Sequence, residues 1–204
     1  KQLKKNENTK IISNNSNQGY GFSLKKGVYL AKTKYIAWFD ADNEHKILDL
    51  YKMYNRIKKE DLDAIVGIRK NFRPSKINIF GKKIIRIFAF ILGFNLPSDF
   101  NCGLRIFKRD RILTFNHFLS DRFSASTSSI IFLIFYKMKF DYLSINTLPR
   151  IGKTKVKIID GFKTIFTIFK LSLLLGIKRY LLILLRCLVF SFQFLNHQLL
   201  NLQD

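Results

Sequence analysis

Apolar positions along this chain fall into short continuous runs separated by stretches of helical period, and that alternation predicts a layered α/β fold. Tyr35-Ile36-Ala37-Trp38-Phe39 is an unbroken apolar and aromatic run, as expected of a strand buried on both faces. Asp40-Ala41-Asp42 ends it. A helix is predicted from about Ile47 to Lys59, with Leu48, Tyr51, Tyr54 and Ile57 on one face. Ala64-Ile65-Val66-Gly67-Ile68 reads as the next strand. Upstream, Lys10-Ile11-Ile12 is a short strand candidate, Asn14 to Gly21 a loop, and Phe22 to Ala31 a helix. Downstream, the pattern predicts a basic and apolar helix from Lys76 to Phe94, a strand from Gly103 to Lys108, a helix from Phe123 to Lys137 and a last strand from Phe140 to Leu148. Strand–helix–strand alternation of this kind predicts a mostly parallel sheet with flanking helices.

Arg150 to Lys157 reads as a basic loop. From Ile158 to about Leu200 the chain holds two apolar helical stretches, broken near Gly176-Ile177-Lys178-Arg179. A membrane span needs about 20 mainly apolar residues. Tyr180 to Leu195 is shorter than that and carries Arg186, so these helices are expected to lie in a membrane interface, with one C-terminal span as the alternative. The expected organisation is a domain over 1–157 followed by apolar helices over 158–204.

Composition sharpens the picture. The 204 residues suffice for one α/β domain with an appendage, and 48% apolar content excludes a disordered chain. The 36 Lys and Arg against 14 Asp and Glu give a net charge of +22, which speaks of partners and not of fold. Nucleic acid, an anionic membrane and a phosphate-rich substrate all fit. Many of the 21 Phe sit in the last third beside Leu and Ile, which favours lipid. Nucleic acid ranks last and is not expected as a partner, because aromatics do not alternate with basic residues as a stacking platform requires. Cys102 and Cys187 have no metal-ligand spacing, and a reducing, cytosolic setting is the default. Lys1-Gln2-Leu3-Lys4-Lys5 has no apolar segment, so no signal peptide is expected, and the missing initiator Met points to a fragment or a trimmed chain.

Four stretches carry candidate chemistry. Asp40 and Asp42 would point the same way in an extended segment, and two carboxylates facing one pocket call for a cation. Hard oxygen ligands suit Mg²⁺ or Mn²⁺, which bridge phosphates. Solvated loop residues or helix caps are the alternative reading. Asn17-Gln18-Gly19-Tyr20-Gly21 opens a helix whose N-terminus attracts anions, or is a capped turn. Asp99-Phe100-Asn101-Cys102-Gly103-Leu104-Arg105 gathers a carboxylate, an amide and a guanidinium. Pattern alone does not separate a site there from a capped turn with a surface ion pair. Arg150-Ile151-Gly152-Lys153-Thr154-Lys155 brings four cations within eight residues once Lys157 is counted, and suits a pyrophosphate or a lipid phosphate, or a solubilising charge run.

Together these stretches resemble the GT-A-fold glycosyltransferases of the second sequence family, in particular the polyprenyl-phosphate (dolichol-phosphate) mannosyl- and glucosyltransferase branch. The resemblance rests on Asn17-x-Gly19-x-Gly21 with Gly27 and Ala31, on Tyr35 to His45, on Val66-Gly67-Ile68-Arg69, on Asp99-x-x-Cys102-Gly103-Leu104-Arg105, and on Arg150-x-Gly152-Lys153-Thr154-Lys155. It spans about residues 10 to 175. It implies that Asp40 and Asp42 hold a metal and the donor diphosphate, with Glu44 as a third metal ligand, and that Asp99 acts near the acceptor. Asn17, Gly19, Gly21, Arg69, Arg105, Arg150, Lys153 and Lys155 are then implied in substrate binding. The implied reaction moves a sugar from a UDP- or GDP-sugar to a polyprenyl phosphate, with inversion, at the cytoplasmic face of an anionic membrane. The family's opening strands, which end in Pro-x-Tyr-Asn-Glu and Asp-Asp-x-Ser and bind the nucleotide, have no counterpart here. A fragment, a partner chain supplying that half, or a non-catalytic membrane-surface scaffold of the same fold are the readings this leaves.

Overall fold

The computed structural model describes residues 9–70, 76–148 and 159–176. Four strands form one sheet: β1 (Tyr35–Trp38), β2 (Ala64–Arg69), β3 (Arg105–Lys108) and β4 (Phe140–Ile145), in the order β1-β3-β2-β4. β3 pairs antiparallel with both β1 and β2, whereas β2 and β4 pair in parallel. So β1, β2 and β4 run one way, as the alternation predicted, but the pairing is mixed. β3 enters from the opposite edge after a long loop and fills the gap between β1 and β2.

Alternation along the strands separates two cores. Ile36, Trp38, Ala64, Val66 and Phe107 face the larger one, and Ile65, Leu104, Ile106 and Ile145 the smaller. The larger core receives Val28 from α1 (Tyr20–Leu30), Ile85 and Ala89 from α3 (Lys76–Ile91), and Ile130 to Leu133 from α5 (Ala125–Phe135). Ile168, Leu171 and Leu175 of the helix spanning 159–176, α6, join the same core. The smaller core is closed by Met53 and Ile57 of α2 (Ile47–Lys59). A short helix α4 (Arg109–Leu113) and a 3₁₀ turn at Asn116–Phe118 follow β3. The apolar pattern did not predict either, because each is too short to show a period.

Three sequence expectations are corrected. Lys10-Ile11-Ile12 is not a strand: it has no sheet neighbour, and Ile11 is exposed. The inward face of α2 is Asp49, Met53 and Ile57, not Leu48, Tyr51 and Tyr54, which are exposed. Several ends also move: α1 begins two residues early at Tyr20, and α3 stops at Ile91. α6 ends at Gly176, where the break in the apolar stretch was expected, and the second stretch from Tyr180 lies outside the described residues. Among the described residues, no helix is long and apolar enough to cross a membrane.

α3 and α6 each carry an exposed apolar stripe in addition to their buried one. On α3 it is Ile77, Phe80, Ile84, Ile87 and Ile91, and on α6 Phe162, Phe166, Phe169 and Leu173. Phe132 of α5 is fully buried and stacks on Phe115 at 5.2 Å between ring centres. Phe132→Ala should therefore cost about 3–5 kcal/mol in urea unfolding, while Phe169→Ala, on the exposed stripe, should stay within about 0.5 kcal/mol of the wild type.

Candidate active site

Because β1, β2 and β4 are co-directional and β3 is reversed, one edge of the sheet collects the carboxyl ends of three strands and the entry to the fourth. Asp40 and Asp42 follow β1, Arg69 ends β2, and the loop from Asp99 to Leu104 leads into β3 at this edge. β4 ends there too. Leu148, a few residues on, donates its N–H to the Glu44 carbonyl at 3.0 Å, which ties the entry of the basic loop to the acidic turn. Arg150, Lys153 and Lys155 themselves lie outside the described residues. Ligands of such sheets bind beyond the carboxyl ends of the strands.

The acidic turn is held from three sides. β1 stops at Trp38, so Asp40 and Asp42 sit in a bend beyond the strand and not on an extended segment. Both are half-buried. The Tyr20 hydroxyl donates to Asp40 Oδ1 at 3.0 Å, and the Glu44 N–H donates to Asp42 Oδ1 at 3.1 Å. Asn43 takes a left-handed φ of 63°, which Asn tolerates better than most residues. Burial raises the Asp40 carboxyl above its ordinary range; the Tyr20 bond opposes the rise and the Asp42 charge adds to it. Burial beside Asp40 likewise pushes the Tyr20 hydroxyl up. Gly103 packs on Asp40 so closely that any Cβ there would collide with the carboxylate, which accounts for the glycine in the Cys102-Gly103-Leu104-Arg105 motif.

Beside this turn is an ion cluster. Arg69 grips Asp99 with two parallel bonds, Nε to Oδ2 at 2.7 Å and Nη2 to Oδ1 at 2.8 Å, and its backbone N–H donates to Oδ2 at 3.1 Å. Lys82 of α3 reaches Asp99 Oδ1 at 2.9 Å. Arg69 Nη1 also bonds Glu44 Oε1 at 3.1 Å. Burial would raise the Asp99 carboxyl, but the bonds and charge of Arg69, then of Lys82, bring it down to about 2. A carboxylate this acidic is a poor proton acceptor at neutral pH. Asp99 therefore anchors two cations, Arg69 and Lys82, at this edge.

Other expected site residues are placed differently. Glu44 is buried against Arg69, and among the described residues no three His, Cys, Asp or Glu are grouped to hold a metal. Glu44 is thus a partner of Arg69 in this arrangement, while Asp40 and Asp42 precede it in the acidic turn. Arg105 is fully buried, with its guanidinium spent on the carbonyls of Phe100, Cys102 and Ser126 and the Ser129 hydroxyl at 2.6–3.0 Å. Burial pushes it down to about 10, so it stays charged as an internal clamp and not as a substrate ligand. Asn17 Oδ1 accepts the Gly19 N–H at 3.1 Å, and Gly19 has a φ of 107°, which favours glycine. Gly19 and Gly21 lie against the backbone of Ser120, Asp121 and Arg122, so the close approach they allow is to protein.

Sequence reasoning missed Tyr20, Lys82 and His45 as members of the site. Tyr20 stood in a motif read for its glycines. Lys82 is one of several basic residues on α3, and nothing in the pattern singles it out. His45 is buried with neither ring nitrogen hydrogen-bonded among the described residues, its ring edge-on to Phe39 at 6.1 Å. Burial lowers its pKa, against the opposing charges of Glu44 and Asp40.

The Asp99 cluster makes a pH-dependent prediction. Its carboxyl is depressed below the unfolded value of about 3.9, so the stability it contributes is full above that value and is lost as pH falls towards 2. Asp99→Asn should destabilise by about 3 kcal/mol at pH 7, because it removes the central charge of a buried ion cluster. In urea titrations across pH 7 to 2 the gap to the wild type should close below about pH 4. A gap that stays constant would show that the ion cluster is not what holds Asp99.

Comparison with known proteins places these features. The family described as Glycosyl transferase family 2 matches residues 1–125. A dolichyl-phosphate beta-glucosyltransferase of Saccharomyces cerevisiae is 24% identical over 194 residues, covering 85% of this chain and 58% of that protein. An uncharacterised protein of Methanocaldococcus jannaschii is 31% identical over 113 residues, covering 50% of this chain and 49% of its own length. The chain thus spans about half the length of these relatives. Among solved structures, glucosyl-3-phosphoglycerate synthase from Mycobacterium tuberculosis, in complex with Mn²⁺, UDP-glucose and phosphoglyceric acid, superposes with a TM-score of 0.55 at 10% identity, over 76% of this chain and 55% of that one. That likeness is one of fold, the GT-A arrangement of a sheet flanked by helices. With a match running over residues 1–125 of 204, the chain belongs to glycosyl transferase family 2.

Proposed function

We propose that this chain carries the metal and acceptor side of a hexosyltransferase that moves a sugar from a UDP- or GDP-sugar to a polyprenyl phosphate at the cytoplasmic face of a membrane. The observation that carries the reading is the convergence, on one sheet edge, of the Asp40–Asp42 acid pair and the Arg69–Lys82 cation pair. The names of similar proteins support it: a dolichyl-phosphate glucosyltransferase by sequence and a synthase bound to Mn²⁺ and UDP-glucose by fold.

The acid pair fits a divalent ion. The two half-buried carboxylates stand close enough for the Asp42 charge to raise Asp40, and their hard oxygens suit Mg²⁺ or Mn²⁺. Asp40 and Asp42 would hold it, and its charge would stabilise the departing diphosphate. Tyr20 fixes the Asp40 rotamer through its hydroxyl, and Gly103 leaves the carboxylate its space. Arg69 and Lys82 offer fixed donors to an anionic acceptor, with Asp99 holding both in place. An acceptor phosphate is already ionised near neutral pH, so a strong base is not required. α3, which supplies Lys82 to the site, also carries the exposed apolar stripe of Ile77, Phe80, Ile84, Ile87 and Ile91 on another face, and that stripe suits contact with an anionic membrane. β1 has no partner on its outer edge among the described residues, and strands completing the nucleotide pocket, from this protein or another chain, would pair there.

The direct test is lipid-linked sugar formation with Mn²⁺, polyprenyl phosphate and each nucleotide sugar. Asp42→Ala should lower the rate about a thousandfold or more, in keeping with several kcal/mol of lost charge stabilisation; equal product from both proteins would sink the metal site. Gly103→Ala should be nearly as inactive while keeping a circular dichroism spectrum close to that of the wild type, because the added methyl displaces only the Asp40 carboxylate. Retained activity in that variant would show that Asp40 is not needed where it stands.

A further inference from the structure

Between the start of α5 and the first turns of α6 lies an open cleft of about 420 Å³. Its lining combines two cations, Arg122 and Lys163, with the hydroxyls of Ser120 and Thr167 and the rings of Phe162 and Phe166. Among the described residues neither cation makes an ion pair or a side-chain hydrogen bond. The acid beside them in sequence, Asp121, is already paired with Lys25 at 2.5 Å. Elsewhere Arg56, Arg69, Lys82, Lys108 and Arg111 all have carboxylate partners. The Thr167 hydroxyl already donates to the Lys163 carbonyl at 2.8 Å, so the cleft offers an anion the two cations and the Ser120 hydroxyl, and the flat fork of an arginine suits a phosphate.

The rings say what kind of phosphate. Phe162 and Phe166 are 65% and 67% exposed, and with Phe169 and Leu173 they continue as one stripe along α6, at spacings of four, three and four residues. Small inorganic phosphate would leave that apolar surface in water. An amphiphile would cover it, with its head between the cations and its chain along the stripe. We propose that this cleft seats the phosphate head group of a membrane lipid, with the lipid chain lying along Phe162, Phe166, Phe169 and Leu173. The seat is next to the acidic turn. Phe123, between two lining residues, stacks on Tyr20 at 6.0 Å between ring centres, and Tyr20 bonds Asp40. The Arg122 stem packs against Gly19.

This deepens the membrane part of the proposed function, on which it rests, and is independent of sugar transfer. The test is flotation of the 204-residue chain with phosphatidylcholine vesicles, with and without phosphatidic acid, in the absence of any sugar donor. The wild type should prefer the phosphatidic acid vesicles. Arg122→Ala with Lys163→Ala should lower partitioning into them about thirtyfold, from about fivefold per cation near an anionic surface. Phe162→Ser with Phe166→Ser should weaken both vesicle types. Lys58→Ala with Lys59→Ala removes the same charge from α2, on the other face of the sheet, and should change partitioning less than about threefold. Equal losses from the cleft and α2 variants would mean diffuse attraction of a basic protein and would overturn the cleft, as would cleft variants that float like the wild type. Saturable binding of inorganic phosphate that depends on Arg122, with no preference for phosphatidic acid vesicles, would overturn the lipid in favour of a free phosphate.

Discussion

One buried guanidinium ties the working edge of this fold together. Arg105 stands at the first position of β3, opposite Trp38 of β1 and Val66 of β2, and its side chain collects two carbonyls from the loop before it and two oxygens from α5. The loop from Phe100 to Leu104 would otherwise present carbonyls to a dry interior, at a cost of about 1–3 kcal/mol each. With those carbonyls occupied, the loop lies flat enough for Gly103 to meet Asp40. The serine-rich start of α5 finds its use in the same clamp, since Ser126 and Ser129 supply half of the acceptors. A charge with no solvent contact thus fixes where an acidic turn, a glycine and a helix start lie relative to one another.

The edge so formed keeps its charges apart. Glu44 and Asp99 are neutralised by Arg69 and Lys82, whereas Asp40 takes a tyrosine hydroxyl and, among the described residues, no Lys or Arg partner. Paired acids hold cations in place; Asp40, beside Asp42, retains demand for positive charge. Had Arg69 turned towards Asp40, a divalent ion would compete with a guanidinium for the same oxygens. The bidentate grip of Asp99 on Arg69, with the added bond from the Arg69 backbone N–H, removes that option. The same grip connects α3, with its exposed apolar stripe, to the site through Lys82, so an anion bound at these cations would also touch the helix that faces outward.

The elements that position the site were legible where the sequence pattern reflects burial. The α2 limits and the run from Ala64 to Ile68 read correctly because their lengths match their structural lengths, whereas the Tyr35 to Phe39 run, expected to be buried on both faces, ends as a strand at Trp38 and is buried on one face, with Ala37 and Phe39 exposed. The convergence of Asp40, Asp42, Arg69 and Asp99 was legible as an ordered set of motifs. Side-chain roles were harder to read. Arg105 and Arg69 look alike in sequence, each a basic residue near a strand end; only the packing of α5 makes one a clamp, and only Asp99 makes the other a held donor. The direction of β3 was hidden because a four-residue strand carries no sign of orientation, and the inward face of α2 was misread because tyrosines at its surface mimic a buried stripe.

The net charge of +22 is best understood after sorting the cations by what they touch. Arg105 holds loop carbonyls, Arg69 and Lys82 hold Asp99, and Arg56 bridges α2 to Asp141 of β4 and to Glu60. Arg105 and Arg56 are internal fasteners that contribute little to the field outside, being buried among dipoles or matched by carboxylates, while Arg69 and Lys82 are fixed by Asp99 at the sheet edge. Among the described residues, many other cations, such as Lys10, Lys32, Lys46 and Lys170, are exposed and outside any ion pair. Arg122 and Lys163 belong to that group but differ in setting, because they share a cleft and stand at the head of an apolar stripe. A diffuse excess of charge draws a protein towards any anionic surface, within a Debye length and without orientation. Orientation needs charge and apolar area at one place. On this molecule α3 and α6 combine the two, and both pack on the core that carries β1, so an anionic surface approached through them meets the fold in a fixed relation to the strand that ends at Asp40.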